Sequence, residues 1–150
     1  MRDGSSPSSG TSAKLGGIWM REVSIMSVEF VILAMIFCHI LDDFVLQPLG
    51  VLSNMKQRSW WEENAPDKKY ECDHLIALLM HGLSWAFMVM LPIAVYYRFY
   101  VGFDFVACFI IHALLHSIID DMKANARLIN LCVDQGLHMA QIVWIFFTLL

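Results

Sequence analysis

Residues 110–123 read IIHALLHSIIDDMK. Apolar residues, chiefly isoleucine and leucine, fill more than half of the stretch, yet a histidine, a second histidine and an aspartate recur at positions 112, 116 and 120. At 100° per residue, His112, His116 and Asp120 spread over about 80° of a helix, and Lys123 falls between them. One face therefore carries four ionisable groups while the rest of the surface is hydrocarbon. That division fits a helix turning its polar face to other helices and its apolar girth to lipid.

The surrounding composition agrees. Of 150 residues, 58% are hydrophobic and 16% charged, and the apolar residues come in runs too long for the core of one small soluble domain. The net charge of -4 offers no basic face for nucleic acid. The four cysteines are scattered without a Cys-x-x-Cys pair and read as packing residues; the Cys72-x-His74 pair is a weak metal signal.

Four apolar segments follow in order, at about 27–46, 75–97, 103–119 and 128–150, each near the roughly 20 residues that cross about 30 Å of hydrocarbon. The expected fold is all-α: an integral membrane four-helix bundle over 26–150, with short connections placing neighbours antiparallel. Residues 1–25, rich in Ser and Gly, read as a disordered tail, with Met20 and Met26 as alternative starts. The first connection, 48–73, holds the Trp60-Trp61 pair and suits the membrane interface. Lys56, Arg58, Lys68, Lys69, Lys123 and Arg127 bias the first and third connections towards the cytoplasm.

The other segments repeat the opening device. CHILDDFVLQ steps His39, Asp43 and Gln47 four residues apart, with Asp42 turned aside; DQGLHMAQ puts Asp134, His138 and Gln141 on one face; His74 and His81 share a side of the second segment. In an up-down-up-down bundle these positions fall in one half of the bilayer, nearest the first and third connections. Charged groups persist in lipid only when paired, hydrated or bound to an ion. Imidazoles and carboxylates at this spacing suit Zn²⁺ or a similar divalent ion, so the expected ligands are His39, Asp43, His116, Asp120 and His138. Gln47, His81, Asp134 and Gln135 are expected to orient them from behind. Asp43 or Asp134 would serve as the catalytic carboxylate, and Lys123 would neutralise Asp120 or polarise a substrate oxygen. His74 and His112 read as structural or interfacial, and Trp85, Trp144, Phe146 and Phe147 as packing or lipid-facing.

HILDDFVLQ at 39–47, Lys56, HG at 81–82, HSIIDDMK at 116–123 and DQGLH at 134–138 resemble the successive motifs of family 3307 among the domains of unknown function, small polytopic membrane proteins of bacteria and their phages. The resemblance covers about Met26 to Trp144; His74 and His112 are extra to its pattern. It implies the fold and a bacterial inner (cytoplasmic) membrane, but no activity. More distantly, the chain is similar to small membrane proteins labelled metal-dependent hydrolases. Three functions stay open: a metal-dependent hydrolase acting on a lipid or membrane-embedded substrate, a proton or divalent-metal transporter, and a polar network that only sets helix register. Partners are the bilayer and such a substrate, with an oligomer allowed. An apolar outer half, Val31 to Phe37 and Phe87 to Val95, counts against a pore, and Ser117 points off the shared face, away from a serine mechanism.

Overall fold

The computed structural model describes residues 27–47 and 52–150. The expected tail, 1–25, and both alternative starts lie outside the described residues. No strand forms among the described residues, and the chain is all-α. In order come α1 (Val28–Ile40), a π-helical continuation (Leu41–Leu46), α2 (Leu52–Met55), α3 (Arg58–Asn64), a 3₁₀ turn (Lys68–Tyr70), α4 (Asp73–Tyr96), α5 (Phe103–Ala124) and α6 (Leu131–Leu149).

The expected count of four helices is thus corrected to six among the described residues, because α2 and α3 fold within the first connection. Two stretches, Lys68–Tyr96 and Phe103–Ala124, are long and apolar enough to cross a membrane. The other two expected spans fall short for reasons visible in their residues. The first is split between α and π geometry around Asp42 and Asp43, and the last carries Asp134, Gln135, His138 and Gln141 within its 19 residues.

Local chemistry sets the ends. Ser27 Oγ accepts from the Phe30 amide and Asn130 Oδ1 from the Val133 amide, capping α1 and α6. After α4 the chain reverses through Arg98 and Phe99, both left-handed at φ 54° and 63°. Helix α4 packs on both α1 and α5, while α6 closes the ring by touching α5 and α1. Gly82 makes the α4–α5 approach possible: a Cβ there would collide with Ser117 Oγ and the Ala113 carbonyl. Ser117 Oγ in turn lies 3.0 Å from the Leu78 carbonyl and 2.9 Å from that of Ala113, so its one proton serves this contact.

The interior has two halves. Val31, Met35, Val89, Met90, Ile93, Cys108, Ile142 and Ile145 form an apolar core at one end. Along each helix the buried polar residues lie beyond that core, towards the first and third connections. Asn125 ties those two connections together: its Nδ2 donates to the Lys56 carbonyl at 3.0 Å and its Oδ1 accepts from the Arg58 amide at 2.7 Å. That clamp places Lys56 over the polar end of the bundle.

Candidate metal centre

Four elements bring their ionisable side chains to one place. The end of α1 and its π continuation supply His39, Asp42 and Asp43; α4 supplies His81; α5 supplies His116 and Asp120; α6 supplies Asp134, Gln135 and His138. His39, His116, Asp134 and His138 are all buried, with exposures of 1% or less. The fully buried Trp85, expected only as packing or lipid-facing, is the plate on which the imidazoles stand. Its indole stacks on His116 with centroids 4.3 Å apart at 17°, and His116 lies 4.2 Å from the His138 ring.

Hydrogen bonds fix which nitrogen carries each proton. An indole N–H can only donate, and Trp85 Nε1 donates to His39 Nδ1 at 2.8 Å. The His39 proton is therefore on Nε2, which donates to Gln135 Oε1 at 3.1 Å. Gln135 Nε2 then donates to Asp134 Oδ2 at 3.0 Å, an oxygen that also accepts from Lys123 Nζ at 2.6 Å. Both nitrogens of His39 are engaged in this chain, so the residue expected as a ligand instead orients Gln135 and, through it, Asp134.

A second chain acts on His138. Gln141 Nε2 donates to the His112 carbonyl at 3.4 Å, which turns Gln141 Oε1 towards His138 Nδ1 at 3.3 Å. The Nδ1 proton belongs to that contact, and Nε2 points the other way. There it faces Asp134 Oδ1 at 3.4 Å and Asp120 Oδ1 at 3.5 Å. Neither His138 Nε2 nor Asp134 Oδ1 makes a hydrogen bond. A lone pair at Nε2 aimed at carboxylate oxygens in a buried space is repulsive unless a cation lies between them, whereas a second ring proton would pair the imidazolium with both carboxylates.

Two sets of side chains put one ligand atom each within 4.8 Å of one another: His116, Asp120 and His138, and Asp43, His81 and His116. Ligands about 2.0–2.1 Å from a tetrahedral Zn²⁺ stand about 3.3–3.4 Å apart. The 3.5 Å from His138 Nε2 to Asp120 Oδ1 is close to such an edge. His81, expected behind the ligands, thus stands among them geometrically, whereas His39 joins neither set. His112 packs edge-on to Trp144, and Cys72 and His74 also lie outside both sets.

The lysines divide their work differently from expectation. Lys56 Nζ donates to Asp120 Oδ2 at 2.5 Å, while Lys123 reaches across to Asp134. Gln47, with its amide oxygen turned outward, accepts from Lys56 and donates to the Asp43 carbonyl at 3.1 Å. Asp42 is not turned aside: it is 2% exposed and accepts from Ser84 Oγ at 2.8 Å. The cause is the π stretch, whose i→i+5 bonding winds the chain more slowly than 100° per residue and brings both aspartates inward.

A cleft of about 270 Å³, lined by Gln47, Ser53, Lys56, Lys123 and Asp120 among others, opens onto this cluster from the side of the connections. A larger hollow of about 350 Å³ lies between Arg58, Trp61 and Tyr70 in the first connection; no histidine lines it and it does not touch the cluster. Comparison of the chain with protein-family models, curated proteins and solved structures returns no match, so the resemblance to family 3307 rests on its motifs alone.

Proposed function

We propose that this chain is an integral membrane protein holding a divalent cation, Zn²⁺ by ligand chemistry, on His116, Asp120 and His138, and hydrolysing a lipid or membrane-embedded substrate reached through the cleft. The observation that carries the metal is His138: its Nδ1 faces an amide oxygen and its Nε2 faces two carboxylate oxygens without a hydrogen bond. Each buried polar atom left unpaired costs about 1–3 kcal/mol, and a cation among them removes that cost. Charge points the same way. Lys56 pairs with Asp120 and Lys123 with Asp134, while Asp42 and Asp43 lie near His81; with neutral imidazoles, two negative charges remain that one divalent ion cancels.

The membrane reading is supported by an inverted distribution of polarity. Imidazoles and carboxylates fill one half of the inside, while Leu33, Phe37, Ile76, Phe87, Ile111 and Phe147 lie exposed outside. Only 28% of the apolar window in α5 is buried, less than is expected of the core helix of a soluble domain. The resemblance and the Lys and Arg bias support the bacterial cytoplasmic membrane, with the cleft towards the cytoplasm.

A bound ion supplies Lewis acidity and lowers the pKa of water towards neutrality. The protein supplies the rest. Asp43 Oδ1, buried and without a hydrogen bond, stands as the general base that takes a proton from attacking water. Lys123, partly exposed at the cleft, polarises a substrate oxygen, and Asp134 holds the position of His138. The apolar core at the other end of the bundle disfavours a transport path through one chain.

Elemental analysis of the detergent-purified protein tests this reading. About one equivalent of Zn²⁺, Mn²⁺ or a related ion is expected, together with metal-dependent release of phosphate or acyl groups from lipids. The Lys56–Asp120 and Lys123–Asp134 pairs would also suit a sealed polar network, and protein free of metal after loading would favour that instead. Metal without lipid turnover would favour ion handling.

A further inference from the structure

Resting on the metal reading above, we infer that the centre has a second cation position on Asp43 and His81, bridged to the first by Asp120 and filled together with a phosphate-bearing anion. Asp120 faces two ways: Oδ1 is 3.5 Å from His138 Nε2, and Oδ2 is 3.4 Å from His81 Nε2. His81 Nε2 is in turn 3.6 Å from Asp43 Oδ1. These separations lie close to the edge, about 3.3–3.4 Å, between ligands of one tetrahedral ion. The Asp43 oxygen is buried and has no hydrogen-bond partner, as at His138 Nε2 on the first position, so its role as base belongs to the centre holding one ion and is given up when the second position fills.

Two of the three ligand imidazoles, His138 and His81, have an acceptor near the far ring nitrogen, while His116 Nδ1 has none. His138 Nδ1 faces Gln141 Oε1 at 3.3 Å, and His81 Nδ1 faces Asp42 Oδ2 at 3.7 Å. Asp42 is held from its other oxygen by Ser84. An acceptor behind the far ring nitrogen is the usual companion of a metal-bound histidine. His116 is within reach of both ions but serves one; its Nε2 is 3.1 Å from His81 Nε2 and 3.9 Å from Asp120 Oδ1.

Charge then selects the substrate class. One divalent ion balances the four carboxylates and two lysines, so a second makes the centre cationic inside an apolar shell. An anion must accompany it, and the cleft that reaches Asp120 is flanked by Lys56 and Lys123. When the second ion takes Asp120 Oδ2, the Lys56 amine is freed towards that anion. Paired ions about 3.5–4 Å apart clamp a phosphoryl group from both sides, and a phosphate ester satisfies both ions and both ammonium groups.

The test is a Mn²⁺ titration of the full chain in maltoside micelles, with bound Mn²⁺ counted and its EPR spectrum recorded. The arms are no anion, inorganic phosphate, and phosphatidate added to the micelle. One ion per chain is expected without anion, and two with a spin-coupled spectrum in a phosphate arm; the arm that acts at lower concentration identifies free phosphate or lipid headgroup as the source. Asp43→Asn and His81→Gln should keep the first ion and lose the second, and Asp42→Asn should weaken the second by about 10–100-fold. Circular dichroism checks that each variant stays helical. A second ion that never appears, or that both variants retain, overturns the inference; a second ion bound equally without anion overturns the coupling. No ion in any arm overturns the metal reading itself.

Discussion

At His138 the two ring nitrogens have opposite surroundings, and the metal proposal rests on that difference. Gln141→Leu removes the acceptor from Nδ1 and should weaken metal retention by about 10–100-fold, measured by competition with a chelator. His116→Ala and Asp120→Ala should abolish retention while His112→Ala spares it; equal retention by all three would remove the ligand assignment. Trp85→Phe keeps the ring face but strips the donor from His39 Nδ1. An orphaned buried acceptor costs about 1–3 kcal/mol, which a lowered melting temperature in detergent would register. The four-residue steps of His and Asp were legible because helix periodicity alone aligns them. The division of labour among the imidazoles was not: it depends on Trp85, Gln135 and Gln141, whose donors and acceptors meet only after the helices pack.

Among the elements, the π continuation at Leu41–Leu46 explains one misplaced residue. Fixed 100° steps turn Asp42 away from the site, and no local signal in LDDFVL announces slower winding. Lys56 is a similar case. Its sequence position says only that it lies in a polar connection, whereas Asn125 draws that connection over the bundle and sets the lysine on Asp120. Asn125→Ala should therefore loosen the first connection, seen as faster amide exchange over 53–64. The boundaries of α4 and the start of α5 followed from apolar runs and a short turn, and fall within about two residues of the expected ones. At Gly82 an added methyl has no room against α5. Gly82→Ala should destabilise by about 1–3 kcal/mol, again read from melting in detergent.

For the whole molecule, an all-helical chain with convergent ionisable groups was readable from composition and periodicity. The two short helices of the first connection were not, because segments of four and seven residues carry too few positions to show a period. If the proposed membrane reading holds, nitroxide labels at Leu33, Phe87 and Ile111 should report lipid contact by oxygen accessibility, while Asn64 should report water. The ring of helices also has a consequence for biosynthesis. The buried aspartates find their partners on other segments: Asp42 accepts from Ser84, Asp120 pairs with Lys56 from an earlier segment, and Asp134, which comes last, pairs with Lys123. A nascent chain stalled before Asn130 would hold Lys123 without Asp134, and under the proposed membrane reading that unmatched ammonium gives quality-control proteases a mark that the finished protein hides.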